Sequence, residues 1–379
     1  MPDERDQPNM TYNVTNLDID LLKKEVGQRF PFYDMRSNIN AVLFFCRIDK
    51  ENLDENFESL RKSLSEKGYI PMLRYEKGEH IIQIIFKLKL KKRPVWINLA
   101  LFIAVIFTTT LAGAIQWVGN YASGLEGWEF LIKAIEPFYL WNGFIFFSVP
   151  LLSILGVHEM GHYFVSKKHN LETSLPYFIP VPPPFILGTL GALISTHEPI
   201  PNRKTLLDVG ASGPICGFLV SIPVCLVGLF LMQQNPIPIT EIGTATFVFP
   251  LALQGLSSFF MIPTNAVMHP TLFAGWVGLF LTAINLLPIG QLDGGHVVRA
   301  LLKEKQKYVS WAVIISILAI GLIDSRWLLY AFIIIFLIGT HHQPPLNELS
   351  PLDTKRMLIG ILALIIFVLC VAPLPLITQ

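Results

Sequence analysis

Seven apolar runs set the first constraint on how this chain can fold. Those at 95–118, 139–165, 206–232 and 271–298 approach or exceed the roughly 20 apolar helical residues that cross a bilayer. Two shorter runs, 308–323 and 327–339, read as a helical hairpin broken at Asp324–Ser325–Arg326, and a last one covers 357–377. Charge is correspondingly scarce: 15% of residues are Asp, Glu, Lys or Arg, against roughly 25% in soluble domains. It is also unevenly spread. Residues 1–92 hold 16 Lys/Arg and 15 Asp/Glu, and all later positions together hold only 13 of each. The expected fold is an α-helical integral membrane protein of about seven transmembrane helices (93–379). It carries a re-entrant, β-hairpin-like segment and a small soluble N-terminal α/β domain (1–92).

In the N-terminal part, Ala41–Ile48 is short and rich in strand formers. A helix is predicted over 53–68, with Phe57, Leu60 and Leu64 on one face and Gly68 at its stop. Tyr69–Tyr75 and His80–Leu90 flank Glu76-Lys77-Gly78-Glu79, a hairpin turn. The expected order is β-α-β-β, and His80, alone, carries no chemistry. Cys46, Cys216, Cys225 and Cys370 are scattered, so neither a disulfide framework nor a cysteine metal site is expected. The polar, acidic start shows no cleaved signal peptide. A net charge of +1 gives no reason to expect a nucleic-acid partner.

Threading the seven runs with the head in the cytoplasm leaves fifteen Lys and Arg in the flanks on that side. Only Lys133 and Arg326 fall on the other, as the positive-inside rule requires. The apolar stretch 246–263 would flip everything after it if it crossed, so it is expected at the outer surface or as a re-entrant piece. Residues 177–196 carry four prolines in their first half. They make a poor spanning helix and a good hairpin, which a membrane tolerates only where protein or water satisfies the backbone. The expected setting is a multi-pass protein of a prokaryotic cell membrane, with head and active site toward the cytoplasm.

Ionisable groups inside an apolar span are costly and usually functional. Within 139–165 stand His158, Glu159 and His162, an H-E-x-x-H motif. Residues four apart share a helix face, so both imidazoles can reach one metal ion with Glu159 beside it. A hydrolytic zinc site needs a third protein ligand and keeps one position for water. Asp293, in "NLLPIGQLDGGH", is the other acid well inside membrane-run sequence that also carries a motif. His162 precedes Lys167 by five residues and Asp293 precedes Arg299 by six. At about 1.5 Å per helical residue, both lie on the order of 8–9 Å below one membrane edge. The alternative for Asp293 is a cap on the turn at Gly294–Gly295.

"HEMGH", "FILGTLGALI", "GASGP" (210–214) and "NLLPIGQLDGGH" resemble the signature set of the site-2 proteases, the intramembrane zinc metalloproteases, over roughly 140–305. The head, with "PFYD" before its first expected strand, is similar to that of the subgroup shared by archaea and plant chloroplasts. The family's acidic motif often has Pro before Asp-Gly, where this chain has Leu292. The resemblance implies one zinc ion per chain on His158, His162 and Asp293. It implies Glu159 as general base and transmembrane proteins in the bilayer as substrates. Asn285, eight residues before Asp293, is a candidate oxyanion donor, or else an amide bonded to a neighbouring helix. Gly188, Thr189, Leu190 and Gly191 lie in a segment that could pair with an unwound substrate strand, or plug the site from water.

A different class, a cation transporter using the same His/Glu/Asp cluster, would make Glu159 a further ligand. His197, Glu198, His269, His341 and His342 are expected to be interfacial. Gly210–Gly217 is expected as a helix-packing stripe, with Asp208 a stabilising acid at a helix start.

Overall fold

The structure is a computed structural model. It describes residues 17–371 except 39, 50, 88–92, 122–126, 197, 237–247, 263–265, 324–327, 329–331, 333–334, 336–338 and 340–341. The expectations for His197, His341, most of the run 327–339 and the end of the last run therefore lie outside the described residues, as do parts of 246–263. The chain divides into two compact units, Met1–Leu90 with Leu346–Ser350, and Lys91–Pro345 with Pro351–Gln379.

The first unit begins with α1 (Ile19–Gly27), β1 (Phe32–Ser37) and β2 (Ala41–Cys46), followed by α2 (Leu53–Glu66), β3 (Tyr69–Glu76) and β4 (Glu79–Phe86). Its antiparallel sheet has the order β1-β2-β4-β3. The expected β-α-β-β order is thus corrected by a preceding helix and strand. β1, with the "PFYD" residues at its start, is an edge strand with a register shift and little alternating burial. α1 anchors through the buried Leu22 and Val26, with Leu21 packed partly against the same core, and Asp18 caps it by accepting from the Leu21 amide. The β3–β4 turn carries two successive positive φ angles, at Lys77 (52°) and Gly78 (89°), the hairpin-matching turn class. Phe44, Phe57, Leu60, Leu64, Leu73 and Ile82 fill the core, and Leu346 completes it. The carbonyl of Leu346 accepts from the Leu73 amide at 2.7 Å along the β3 edge.

The second unit is mostly helical. α3 (Trp96–Tyr121) and α4 (Gly127–Ala134) precede α5 (Pro137–Gly143), which runs through a π-helical turn at Phe144–Ser148 into α6 (Val149–Lys168). Then come β5 (Tyr177–Pro180), β6 (Thr189–Leu193), α7 (Arg203–Gln234), α8 (Leu251–Ser257), α9 (Pro270–Asn285), α10 (Asp293–Leu302) and α11 (Gln306–Gly321). The last described helix, α12, spans Thr354–Cys370. Among the described residues, three helices are long and apolar enough to cross a membrane: Trp96–Tyr121, Pro137–Lys168 and Arg203–Gln234.

The π-helical turn has a chemical reason. Pro150 has no N–H to return to the carbonyl four residues back. That carbonyl, of Phe146, instead accepts from the Thr271 hydroxyl of α9 at 2.8 Å. Gly113 and Gly143 let α3 and α5 meet backbone to backbone: a Cβ on Gly113 would lie 2.6 Å from the Gly143 oxygen.

One expectation changes here, and that of a hairpin at 177–196 holds. The run 271–298 is not one span, since α9 ends at Asn285 and α10 starts at Asp293. Pro288 and Gly290 lie in the connection, Gly290 with φ 49°. The 177–196 segment is an antiparallel two-stranded ribbon pairing Tyr177 with Leu193 and Phe178 with Ala192. Its Phe178 and Ala192 share a core with Val105, Phe147, Leu151 and Leu155. The ribbon therefore packs beside α6 within about two turns of His158.

Candidate metal centre

His158 and Glu159 are buried on α6, and His162 stands one turn further along the same helix. Asp293, the first residue of α10, is brought to them from the far side of the α9–α10 break. The Nε2 atoms of His158 and His162 are 3.2 Å apart. The Asp293 Oδ2 lies 3.4 Å from the first and 3.3 Å from the second. Among the described residues these three form the group able to hold a metal ion.

The triangle suits zinc in size and chemistry. Bonds of about 2.0–2.1 Å in a tetrahedron give ligand–ligand edges of about 3.3–3.4 Å, and two imidazoles with a carboxylate form a known hydrolytic donor set. The imidazole tautomer fits as well. The Nδ1–H of His162 donates to the Val209 carbonyl at 2.8 Å, which leaves its Nε2 lone pair for the ion, the outer-shell arrangement of metal-bound histidines. Leu292, the N-cap residue of α10, provides no side-chain cap, and the Asp293 carboxylate faces the histidines and not the Gly294–Gly295 turn.

Glu159 is 8% exposed, and among the described residues its carboxylate receives no hydrogen bond. It lies beside the donor triangle, not in it. The Asn285 amide, at the end of α9, reaches the His158 Nε2 at 3.2 Å. A metal on that lone pair would release the amide to another oxygen at the same place.

The hairpin residues separate into two kinds. Gly188 (φ 68°) is pressed against α3, where a Cβ would lie 2.5 Å from the Thr108 carbonyl oxygen. Thr189 is buried and bonds within the ribbon, to the Ile179 carbonyl at 3.0 Å and the Gly191 amide at 3.0 Å. Leu190 is 63% exposed, and a Cβ on Gly191 (φ 96°) would meet nothing within 4 Å.

Other residues that serve the centre escaped the sequence reading. Gly210, Gly213 and Gly217 form one face of α7, the seat of the histidines and not only a packing stripe. A Cβ on Gly213 would lie 2.1 Å from the His162 Nε2, one on Gly217 3.0 Å from the His158 Nδ1, and one on Gly210 2.6 Å from the His296 Cβ. Their three-and-four spacing is a signal for such a face; the Val209 carbonyl has none. His342, expected at the interface, is buried, with its Nε2 2.9 Å from the Nδ1 of His296. His342 Nδ1 is 2.6 Å from the Gln343 carbonyl oxygen. That oxygen can only accept, so His342 donates through Nδ1 and His296 donates to it. His269 is likewise buried, accepting from the Thr271 amide at 3.2 Å between Trp117 and Phe146. Asp208 is not a free helix-start acid. Its carboxylate accepts from His169 at 2.9 Å and from Arg356 at 2.7 Å.

Residues 146–323, which include the whole donor triangle, match peptidase family M50. That match, just under half of the chain, identifies a peptidase M50 (site-2 protease) domain within it. Among curated relatives, the chain is 32% identical over 237 residues to the probable zinc metalloprotease EGY1, chloroplastic, of Oryza sativa subsp. japonica; the match covers 59% of this chain and 40% of that protein. To the Arabidopsis thaliana protein of the same name it is 29% identical over 336 residues, covering 84% and 56%. To the probable zinc metalloprotease EGY2, chloroplastic, of Arabidopsis thaliana it is 27% identical over 228 residues, covering 59% and 40%. The chain thus spans about half the length of these relatives or less. No solved structure matches. The relatives overturn one expectation: all three are named chloroplastic, where a prokaryotic cell membrane was expected.

Proposed function

We propose that this M50 chain is a zinc endopeptidase of the membrane interior, cutting peptide bonds within or near transmembrane segments of other membrane proteins. The observation that carries the reading is the donor triangle of His158, His162 and Asp293, with edges of 3.2–3.4 Å and a buried carboxylate, Glu159, beside it. One zinc ion held there would supply a water of lowered pKa and a Lewis acid for the scissile carbonyl. Glu159 takes the proton of the attacking water and returns it to the leaving amine. The Asn285 amide donates to the oxyanion.

A wound helix keeps its carbonyls engaged, so the substrate must be held extended. The Thr189–Leu193 strand presents its free side and the open space at Gly191 for that purpose, by strand addition. The domain organisation proposed with this function is a head (1–92) ahead of a membrane body (93–379), whose catalytic core is about 140–305. Seven crossings are proposed for the body: the three long helices, α9, α11 and α12 as short spans, and the run 327–339, most of which lies outside the described residues.

Glu159→Gln tests the reading. It should retain zinc and abolish cleavage of a model transmembrane peptide in liposomes. A variant that lost its metal yet still moved cations would instead support the transporter alternative, in which Glu159 is a ligand.

A further inference from the structure

We infer that Thr108, in the middle of α3, is the positioning residue that holds the substrate-pairing strand at its working distance from the metal centre. This rests on the strand-addition reading above, and three observations support it. The first is the bond itself. The Thr108 hydroxyl donates to the Gly188 carbonyl at 2.7 Å, across 80 positions of sequence. That carbonyl also accepts from the Val181 amide at 3.1 Å. One oxygen therefore joins the end of the first ribbon strand, the start of the second and α3.

The second is the fit around it. Gly188 lies so close to α3 that its missing Cβ would stand 2.5 Å from the Thr108 carbonyl oxygen and 2.7 Å from the Thr109 Cα. Its φ of 68° also requires glycine. The contact is a seat with no slack, and the residue that follows, Thr189, is 3% exposed. Leu190 and Gly191, the next two, reach open space. The strand is fixed at one end and free along the edge where a peptide would add.

The third is what flanks the seat. Asn98 Nδ2 of α3 donates to the Leu175 and Pro176 carbonyls at 2.8 and 3.0 Å, and Gln116 Nε2 to the Ile186 carbonyl at 3.1 Å. Asn98 and Gln116 hold the approaches to the ribbon, and Thr108 alone of the three bonds to the residue that immediately precedes the pairing strand. The same hydroxyl lies 3.2 Å from the Ala104 and Val105 carbonyls of its own helix, so the Gly188 carbonyl, at 2.7 Å, is its nearest acceptor.

A positioning residue of this kind affects how the peptide is held and not the chemistry at the metal. The test uses the full-length protein in liposomes, a cleavable transmembrane peptide, metal analysis, and the variants Thr108→Val, Thr108→Ser and Gly191→Val. Loss of one such bond is worth on the order of fivefold. Thr108→Val should raise KM by about that factor with kcat and zinc content unchanged, and Thr108→Ser, which keeps the donor, should restore KM. Wild-type KM in Thr108→Val overturns the inference. So does a raised KM in Thr108→Ser, the variant that remains informative if valine prevents folding. A fall in kcat or zinc content at unchanged KM also overturns it, by placing the effect at the metal centre. Gly191→Val separates this failure from failure of strand addition. If Gly191→Val is impaired and Thr108→Val is not, only the role of Thr108 is lost; if Gly191→Val cleaves with wild-type KM, strand addition itself fails.

Discussion

Replacing Gly213 by alanine should empty the metal centre while leaving the helix that carries the change intact. The added Cβ would stand 2.1 Å from the Nε2 of His162, and 2.5 and 2.6 Å from its neighbouring ring carbons. Ordinary carbon contacts begin near 3.5 Å, so the ring must retreat by more than about 1 Å. It cannot do so freely. Its Nδ1 is bonded to the Val209 carbonyl at 2.8 Å, one turn earlier on the same helix as Gly213. Rotation breaks that bond and carries Nε2 out of a triangle whose edges are 3.2–3.4 Å. Loss of an outer-shell partner alone typically weakens a metal site 10–100-fold; with a ligand displaced as well, the expected loss of zinc affinity is at least about 100-fold. Helix propensity works the other way, since alanine is favoured over glycine by roughly 1 kcal/mol in a helix interior. A weakened site would therefore not reflect a melted α7. Competition for zinc with a chromophoric chelator on purified full-length protein measures the effect. Gly156→Ala on α6 is the control, because a Cβ there meets nothing within 4 Å. Wild-type zinc affinity in Gly213→Ala would refute the seat.

Thr271→Val should lower the thermal stability of the membrane unit by about 1–3 kcal/mol, the cost of leaving a buried carbonyl unpaired; it strands the Phe146 carbonyl freed by Pro150. Differential scanning calorimetry checks this. In the first unit, the Glu25 carboxyl is held at about 2 by Lys67 above all, against the opposing cost of burial, with Ser63 and Arg29 adding to the effect. A carboxyl depressed on folding stabilises above its ordinary value of 4.5 and loses that contribution as the pH falls toward 2. After allowing for solvent around Lys67, about 2 kcal/mol should disappear across that window. Hydrogen exchange in the β-sheet should show it, and Glu25→Gln should remove that part of the pH dependence.

The long helices around the donor triangle were legible because lipid leaves so few ways to bury a backbone. Long apolar runs foretold α3, α6 and α7, and four prolines foretold that Tyr177–Thr196 would not be a helix. The candidate metal ligands were legible for the related reason that ionisable groups are rare there. What escaped detection depends on contacts that leave no mark on local composition. A single run at 271–298 hides the break before Asp293, because Leu286, Leu287, Ile289 and Leu292 are as apolar as the helix they interrupt. β1 is an edge strand with polar residues on both faces, so no alternation betrays it. His342 bonds to His296 from 46 positions away. The Gly210–Gly217 stripe was visible as a stripe, but which rings it would meet depends on the pairing of α6 with α7.

The break before Asp293 also governs which changes this stretch can absorb over evolutionary time. Positions 294 and 295 have no room for even a methyl group. A Cβ on the first would collide with the Leu286 oxygen at 1.9 Å and one on the second with the Gly290 oxygen at 2.3 Å. Leu292, on the other side of the carboxylate, is half-buried and gives no side-chain cap. The tolerance of the motif is therefore lopsided. Drift can rewrite the residue ahead of the aspartate, while the pair behind it is locked by a folded-back backbone that no compensating side chain can move aside.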